Sequence, residues 1–312
     1  MAPMGSALLC VGDGIAPGHY RLHSRFSRVS NFVADDGSLV AIVTCEVGTG
    51  PVNVVLDGPG DWPWESLDIA LEHLVLHRRA DRPDAGSYRG GPDEVLVLPV
   101  SSEVRRDTRL ERLPAADLGP GALHLAIARV LEQALPPSLA CLLRTELAGP
   151  NPGAKPAASR DAGGSAFERA LAERARAGAR LLAGADFLGC ARLLRGCGYG
   201  LTPSGDDFNT GLLAALWLLE QPDLGAVHAA ARGQNVLSNA FLDQAIAGRL
   251  NAAPRAFVQA VVHGEQDARE ASDRLLAVGA TSGADFAAGF LLTWRSLLES
   301  LSAPGATTTP SG

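Results

Sequence analysis

Three side chains capable of chemistry crowd together at Ser204, Asp206 and Asp207, within the stretch LTPSGDDFNTGLL that runs from Leu201 to Leu213. Paired carboxylates can exchange protons with a substrate, or join other converging oxygens around a hard cation. Directly upstream, RGCGYGLTP places Gly196, Gly198 and Gly200 at alternate positions before a helix-like run. A glycine-rich loop feeding a helix N-terminus is a general receiver of anions, because backbone N–H groups point outward there. The arrangement is neither a dinucleotide fingerprint nor a P-loop, since the glycines precede the helix and no G-K-[ST] follows. Adjacent aspartates repel an anion unless a cation or an arginine offsets them. Asp206 therefore admits three readings: it holds Mg2+ that meets a phosphate, it orients a polar substrate amide, or it is solvated. Ser204 has neither a nucleophile elbow nor an assigned histidine base, which argues against a hydrolase.

A partial echo, ATSGADFAAGFLL, runs from Ala280 to Leu292. Aligning Ser204 with Ser282 also aligns Gly205 with Gly283, Asp207 with Asp285, Phe208 with Phe286 and Gly211 with Gly289. Both copies read S-G-x-D-F-x-x-G. Serine at an N-cap with an acid three positions later predicts a capping box, and the acid suits the positive helix end. The later glycine lies about two turns along and would admit a second helix closely. Capping covers Ser282 and Asp285. It leaves over Asp206 and Asn209 of the first copy, which face Ala284 and Ala287 in the second.

On these residues, GCGYGLTPSGDDFNTG resembles the signature of the AllH family, and RVSNF and TSGADFAAGF resemble its outer blocks. The resemblance implies an activity in oxamate carbamoyl transfer during purine catabolism, shared with other enzyme subunits. In that reaction oxalurate and phosphate interconvert with oxamate and carbamoyl phosphate, so phosphate or carbamoyl phosphate is the implied co-substrate. Phosphate would attack the terminal carbamoyl carbon and displace the oxamate nitrogen. Ser204, Asp206 and Asp207 are the catalytic candidates, with Asp206 also the candidate for Mg2+. Gly198, Gly200, Thr202, Gly205, Asn209, Asn235, Ser282 and Asp285 are candidates for binding a small polar carboxylate or amide. Arg28 and Asn31, from the RVSNF block, join them as candidates for the carboxylate. Two alternatives stay open: a regulatory or assembly subunit, and a ring-forming or ring-opening enzyme on a related carboxamide.

Other polar groups carry less. Arg21, Arg25 and Arg28 suit carboxylate recognition or a solvated strand edge alike. Asn235, Ser238 and Asn239 share one side of a helix by their spacing. His73 and His77 do not form H-E-x-x-H. Trp217 and Trp294 follow the two motif copies at near-equal distances and read as core. Lys155 is the only lysine, which argues against Schiff-base chemistry.

These groups need a scaffold, and 312 residues with 46% hydrophobic content supply a substantial core. A net charge of -7 argues against a broad nucleic-acid surface. The longest apolar run, GLLAALWLLE, is too short to span a bilayer. Five scattered cysteines and no signal-like start predict a protein of the reducing cytoplasm. Turn-punctuated runs such as SLVAIVTCEV and VNVVLD predict strands in the first third, and LDIALEHLVLHRR reads as a helix. After Pro114 the texture becomes helical, with helices expected over 165–183, 186–195, 205–220, 224–249, 254–262, 266–278 and 283–301. The expected fold class is α+β: a β-rich N-terminal region, 1–113, packed with a predominantly helical region, 114–312, that carries the motif.

Overall fold

The computed structural model describes residues 7–60, 62–78, 94–112, 122–135, 138–144, 165–264 and 267–302. Lys155, the loops expected at 80–92 and 149–164, and the 113/114 boundary lie outside them. The fold is α+β, in two compact units: Met1–Arg109 with Arg249–Ala252, and Leu110–Gly248 with Ala253–Gly312.

The first unit is built on one mixed sheet. Its strands are β1 (Leu8–Gly12), β2 (Gly18–Arg25), β3 (Val29–Val33), β4 (Leu39–Thr44), β5 (Asn53–Leu56), β6 (Ser66–Ile69), β7 (His73–Arg78), β8 (Glu94–Pro99) and β9 (Arg105–Arg106). They lie in the order β8-β7-β6-β2-β3-β4-β5-β1-β9. Parallel pairing joins β4 to β5 and β1 to β9; the remaining neighbours are antiparallel. One face buries Tyr20, Phe32, Ile42, Leu56, Leu67, Leu74 and Leu76 beneath Trp62 and Trp64. Centrally, Cys10, Ala41, Val43 and Val55 bury the opposite face too. That double burial is why β4 and β5 read as unbroken apolar runs rather than alternating ones.

The helix expected at Leu67–Arg79 is instead the hairpin β6–β7, with Leu67 paired to Leu76 and Ile69 to Leu74. The strand period wins because Leu67, Leu74 and Leu76 alternate into the core. His73 and His77 consequently sit on a strand.

Residues 249–252 return to this unit as a strap. Leu250 N–H donates to the Thr108 carbonyl (3.1 Å) and Ala252 N–H to that of Thr49 (2.8 Å). Arg249 Nε donates to Asp13 Oδ2 (2.9 Å), and Thr108 Oγ1 to Asp13 Oδ1 (2.5 Å). Burial works to raise the Asp13 pKa, but these donors outweigh it and hold the carboxyl below its ordinary value.

The second unit is helical: α1 (Leu123–Gln133), α2 (Ala166–Ala183), α3 (Phe187–Leu194), α4 (Ser204–Leu218), α5 (Leu224–Ala231), α6 (Val236–Ile246), α7 (Ala252–His263), α8 (Ala268–Leu276) and α9 (Ser282–Ser302). Ser165 and Glu168 close a reciprocal capping box at the start of α2. Arg129 of α1 grips Asp273 of α8 with two nitrogens, at 2.5 and 2.7 Å. The single helix expected over 224–249 is two. Between them Asn235 caps α6, its Oδ1 accepting from Ser238 N–H at 3.0 Å, and Gly233 occupies the break.

α4 runs through the middle of this unit. Phe208, Leu212, Leu213, Ala215 and Leu216 are all fully buried, so the helix is apolar on nearly every side. Its main partner is α9, with which it makes a close crossing. A Cβ on Gly211 would fall inside the Phe286 carbonyl oxygen and 2.8 Å from Phe290 N. A Cβ on Gly289 would fall inside the Phe208 carbonyl oxygen and 2.8 Å from its carbon. Each motif glycine therefore receives the backbone of the other motif's phenylalanine. Trp294 is fully buried and stacks on Phe290, 5.8 Å between centroids. Trp217 is half-buried, packs against Gly248 and carries the Arg112 guanidinium over its ring at 4.8 Å.

Candidate functional site

The echo in sequence is an internal repeat in structure. Gly205 N–H donates to the Cys197 carbonyl and Gly283 N–H to that of Val278. Asp207 N–H donates to the Pro203 carbonyl, and Asp285 N–H to that of Thr281. Gly205 rests on the Leu194 carbonyl at the end of α3, and Gly283 on the Leu275 carbonyl near the end of α8. Hence α3–loop–α4 and α8–loop–α9 are two copies of one helix–loop–helix design.

The two copies exchange their polar partners. Ser204 is not the N-cap of α4: Pro203 holds that place, and no side chain caps the helix. The Ser204 hydroxyl acts instead on Asp285, while that of Ser282 acts on Asp207. Thr202 Oγ1 bridges the pair, donating to Asp207 Oδ2 at 3.1 Å and lying 3.4 Å from Ser282 Oγ. Asp285 Oδ1 accepts the Leu139 N–H at 2.6 Å, a donor outside its own helix. Its Oδ2 makes no hydrogen bond of normal geometry, and the residue is fully buried. The expected capping boxes have become cross-braces between helices. Capping could not serve at the Ser204 copy, where the serine already lies within the first turn.

Burial dominates the electrostatics here, because removing a carboxylate from water penalises its charged form. It pushes the Asp207 carboxyl up to about 8, helped by the charges of Asp285 and Asp206 and opposed by the Ser282 and Thr202 hydroxyls. It pushes Asp285 up to about 6 against the Leu139 N–H and the Ser204 and Thr281 hydroxyls. As a residue Asp207 remains partly exposed, although its carboxyl is densely surrounded.

The first copy differs from the second in its loop. Seven residues separate Cys197 from Gly205, and four separate Val278 from Gly283, so the first loop is three longer. Gly196, Gly198 and Gly200 all take positive φ, at 67°, 115° and 99°, which side chains disfavour. Tyr199, Gly200, Leu201 and Thr202 donate their backbone N–H groups to no acceptor among the described residues. Of the two residues that capping left unexplained, Asp206 pins the start of this longer loop and Asn209 ties α4 to α3 just before it. Asp206 Oδ1 accepts the Gly196 N–H at 2.7 Å, and Asn209 Nδ2 donates to the Ala191 carbonyl at 3.1 Å. Asn235 adds a second tie to the loop, its Nδ2 donating to the Leu201 carbonyl at 2.8 Å. The shorter second loop has alanine at both matching positions.

Asp206 is 3% exposed and its carboxyl is raised by burial, against the Gly196 N–H, Ser238 and Arg195. Asp206→Ala is expected to release Gly196. Its amide should exchange with deuterium at least about tenfold faster, equivalent to about 1.4 kcal/mol of lost local protection. Asp206→Asn, which keeps an acceptor oxygen, should restore most of it. Unchanged exchange in the alanine variant would remove the staple assignment.

The structure thus gathers Ser204, Asp207, Thr202, Ser282 and Asp285 into one network and sets Asp206, Gly198, Gly200, Gly205, Asn209 and Asn235 around the adjoining loop. Arg28 and Asn31 belong to the first unit. Arg28 pairs with Glu46 at 3.4 Å on an exposed surface, and buried Asn31 donates to Ser24 Oγ at 3.0 Å. Among the described residues no three His, Cys, Asp or Glu side chains are grouped to hold a metal ion, nor is any helix long and apolar enough to cross a membrane. A cavity of about 260 Å³ lies at the second loop, lined by Gln133, Leu135, Asp273, Leu276, Gly279 and Ala284. Leu139 had no signal in the sequence, since it meets Asp285 only through the fold. Gly211 and Gly289 did have one: their equal offset from the two serines.

Two family models match the chain. The AllH family N-terminal domain covers residues 10–82, and the oxamate carbamoyltransferase subunit AllH covers residues 194–294, a span enclosing both motif copies. No curated protein and no solved structure matches.

Proposed function

We propose, from the premise that the chain belongs to the AllH family, that it carries out or completes carbamoyl transfer between oxalurate and phosphate, with Asp207 as the proton donor. The observation that supports this reading is a carboxyl pushed up by burial to about 8 and hydrogen-bonded at 3.1 Å to Thr202, the last of four loop residues whose backbone N–H groups meet no acceptor among the described residues. The loop N–H groups receive an oxyanion, and Asp207 faces the group that must gain a proton. Phosphate oxygen bonds to the terminal carbamoyl carbon, and the developing oxygen charge is met by loop donors. As the carbon–nitrogen bond breaks, the departing oxamate nitrogen takes the proton from Asp207. The proton lost by phosphate restores Asp207, so HPO4 2- and oxalurate become carbamoyl phosphate and oxamate with charge conserved. Ser204 and Asp206 support this centre, through Asp285 and the loop respectively. Gly198, Gly200 and Thr202 contribute loop backbone.

A specific observation favours a second reading, in which the same loop contacts another subunit. Tyr199 and Leu201 are 57% and 41% exposed, and Phe167, 42% exposed, meets the Tyr199 ring at 4.1 Å. Apolar side chains bared around a functional loop suit a protein contact.

Calorimetric titration with phosphate, oxamate, oxalurate and carbamoyl phosphate, followed by 31P NMR of the oxalurate–phosphate mixture, separates the two. Binding of oxamate or carbamoyl phosphate with a carbamoyl phosphate resonance is the expected result. Binding without turnover assigns the chemistry to an assembly that includes this chain. No binding of any of the four leaves the subunit-contact reading alone.

A further inference from the structure

Oxamate and oxalurate each carry a carboxylate that the proposed reaction leaves untouched, and none of the groups assigned so far meets it. Arg28, the candidate from the sequence, belongs to the first unit and pairs with Glu46. The helical unit has another arginine beside the loop itself. Arg195 follows α3 and directly precedes Gly196, whose N–H the Asp206 carboxylate holds at 2.7 Å. Its side chain is laid against the junction between α5 and α6. Nη1 donates to the Arg232 carbonyl at 3.3 Å, and a Cβ on Gly233 would come within 3.3 Å of Arg195 Cγ and 3.5 Å of Cδ. That junction is braced in turn: Asn239 accepts from the Gly233 N–H at 3.0 Å and donates to the Gly233 carbonyl at 2.9 Å. Asn235, from the same junction, donates to the Leu201 carbonyl at 2.8 Å, near the far end of the loop. Three peptide units separate Arg232 from Asn235, at most about 11 Å of chain, so one short piece of backbone holds both the guanidinium and the loop.

We propose that Arg195 binds the carboxylate of oxamate and oxalurate, with the α5–α6 junction holding its guanidinium beside the glycine loop. The assignment rests on the reading of that loop as the place where these substrates bind. A guanidinium offers five N–H donors, and the Arg232 carbonyl takes one of them. No carboxylate lies within ion-pair distance of Arg195 among the described residues, whereas Arg232, its neighbour across the junction, is paired with Asp243. The side chain is exposed, so an incoming anion can reach it. A planar fork without a carboxylate partner matches one through two parallel hydrogen bonds. The same charge offsets Asp206, which would otherwise repel an anion arriving at the loop. Ser238 of α6, 3% exposed, makes no hydrogen bond of normal geometry through its hydroxyl, leaving a second polar group near this junction unsatisfied.

Calorimetric titration of oxamate and of phosphate into the full chain tests this, with Arg195→Gln and, as control, Arg192→Gln in the last turn of α3. Arg195→Gln should weaken oxamate binding on the order of 10- to 100-fold, the loss of one charge-assisted pair, and leave phosphate binding largely unchanged. Arg192→Gln should bind both ligands as the wild type does. Should Arg195→Gln not fold, the unmodified chain decides: saturating oxamate should shield Arg195, and not Arg192, from phenylglyoxal, read by mass spectrometry. Oxamate bound equally by wild type and Arg195→Gln, or phosphate weakened as much as oxamate, overturns the assignment and leaves the reading of the loop standing. Equal labelling of Arg195 with and without oxamate overturns it as well. A wild-type chain that binds neither ligand brings down the reading of the loop and this assignment together.

Discussion

Asp207→Asn is expected to lower carbamoyl phosphate formation by about 10² to 10⁴, the usual contribution of a positioned general acid. The amide preserves the shape of the carboxyl and its contacts with Thr202 and Ser282, but cannot release a proton. Binding of oxamate should change little, so the loss falls on kcat and only weakly on KM. The wild-type rate should decline as pH rises through about 8, where the carboxyl loses its proton. Stability should move the same way with pH. The folded carboxyl titrates near 8 against an ordinary value of 3.8, so between those values the folded state binds a proton that the unfolded state has released. Its contribution is therefore fully present below about pH 4 and lost as pH rises through 8. Asp207→Asn should match wild type near pH 4 and be the more stable protein at pH 9, with Tm up by roughly 2–4 °C per kcal/mol gained. An enzyme that loses activity and gains alkaline stability through one isosteric change has a buried acid kept for its chemistry. A variant equally active, or destabilised at every pH, assigns Asp207 to bracing alone.

Gly211→Ala should destabilise the helical unit by about 3 kcal/mol, and Gly289→Ala by a similar amount. In both cases the new methyl would fall inside a backbone carbonyl oxygen, that of Phe286 or of Phe208, and backbone cannot move aside as a side-chain tip can. For a unit of this size the loss lowers Tm by roughly 6–12 °C. The double variant should cost clearly less than the sum, because the first methyl already forces α4 and α9 apart at their shared crossing. Thermal unfolding of the four proteins gives the coupling directly. Additive losses would mean that the two glycines do not serve one crossing, and the internal repeat would lose its structural basis.

Part of this arrangement was legible in the sequence. The equal offset from serine to glycine in the two S-G-x-D-F-x-x-G copies announces paired helices, and the structure makes them face each other. What the sequence suggested wrongly was the bonding. Serine with an acid three residues on has the pattern of a capping box, but a pattern within one segment cannot show that Asp285 finds Leu139, or that Ser204 acts across the crossing. The surplus Asp206 and Asn209 correctly marked the first copy as the special one. The job of Asp206, holding a loop three residues longer, needed the second loop as a measure, and that of Asn209, tying α4 to α3, needed the fold. Leu67–Arg79 misread as a helix for a related reason: its leucines fit both periods, and only a sheet face ready to bury Leu67, Leu74 and Leu76 decides between them. The break at Gly233 was visible as a glycine followed by Asn235, though helix-forming residues on both sides outweighed it.

The most direct measurement is the 13C titration of the Asp207 carboxyl in the unmodified chain. The account predicts a midpoint near 8, leaving most of the population protonated at pH 7. A midpoint near 4, the range of an ordinary aspartate, would leave the site with no proton to give, and the proposed transfer would have to be abandoned.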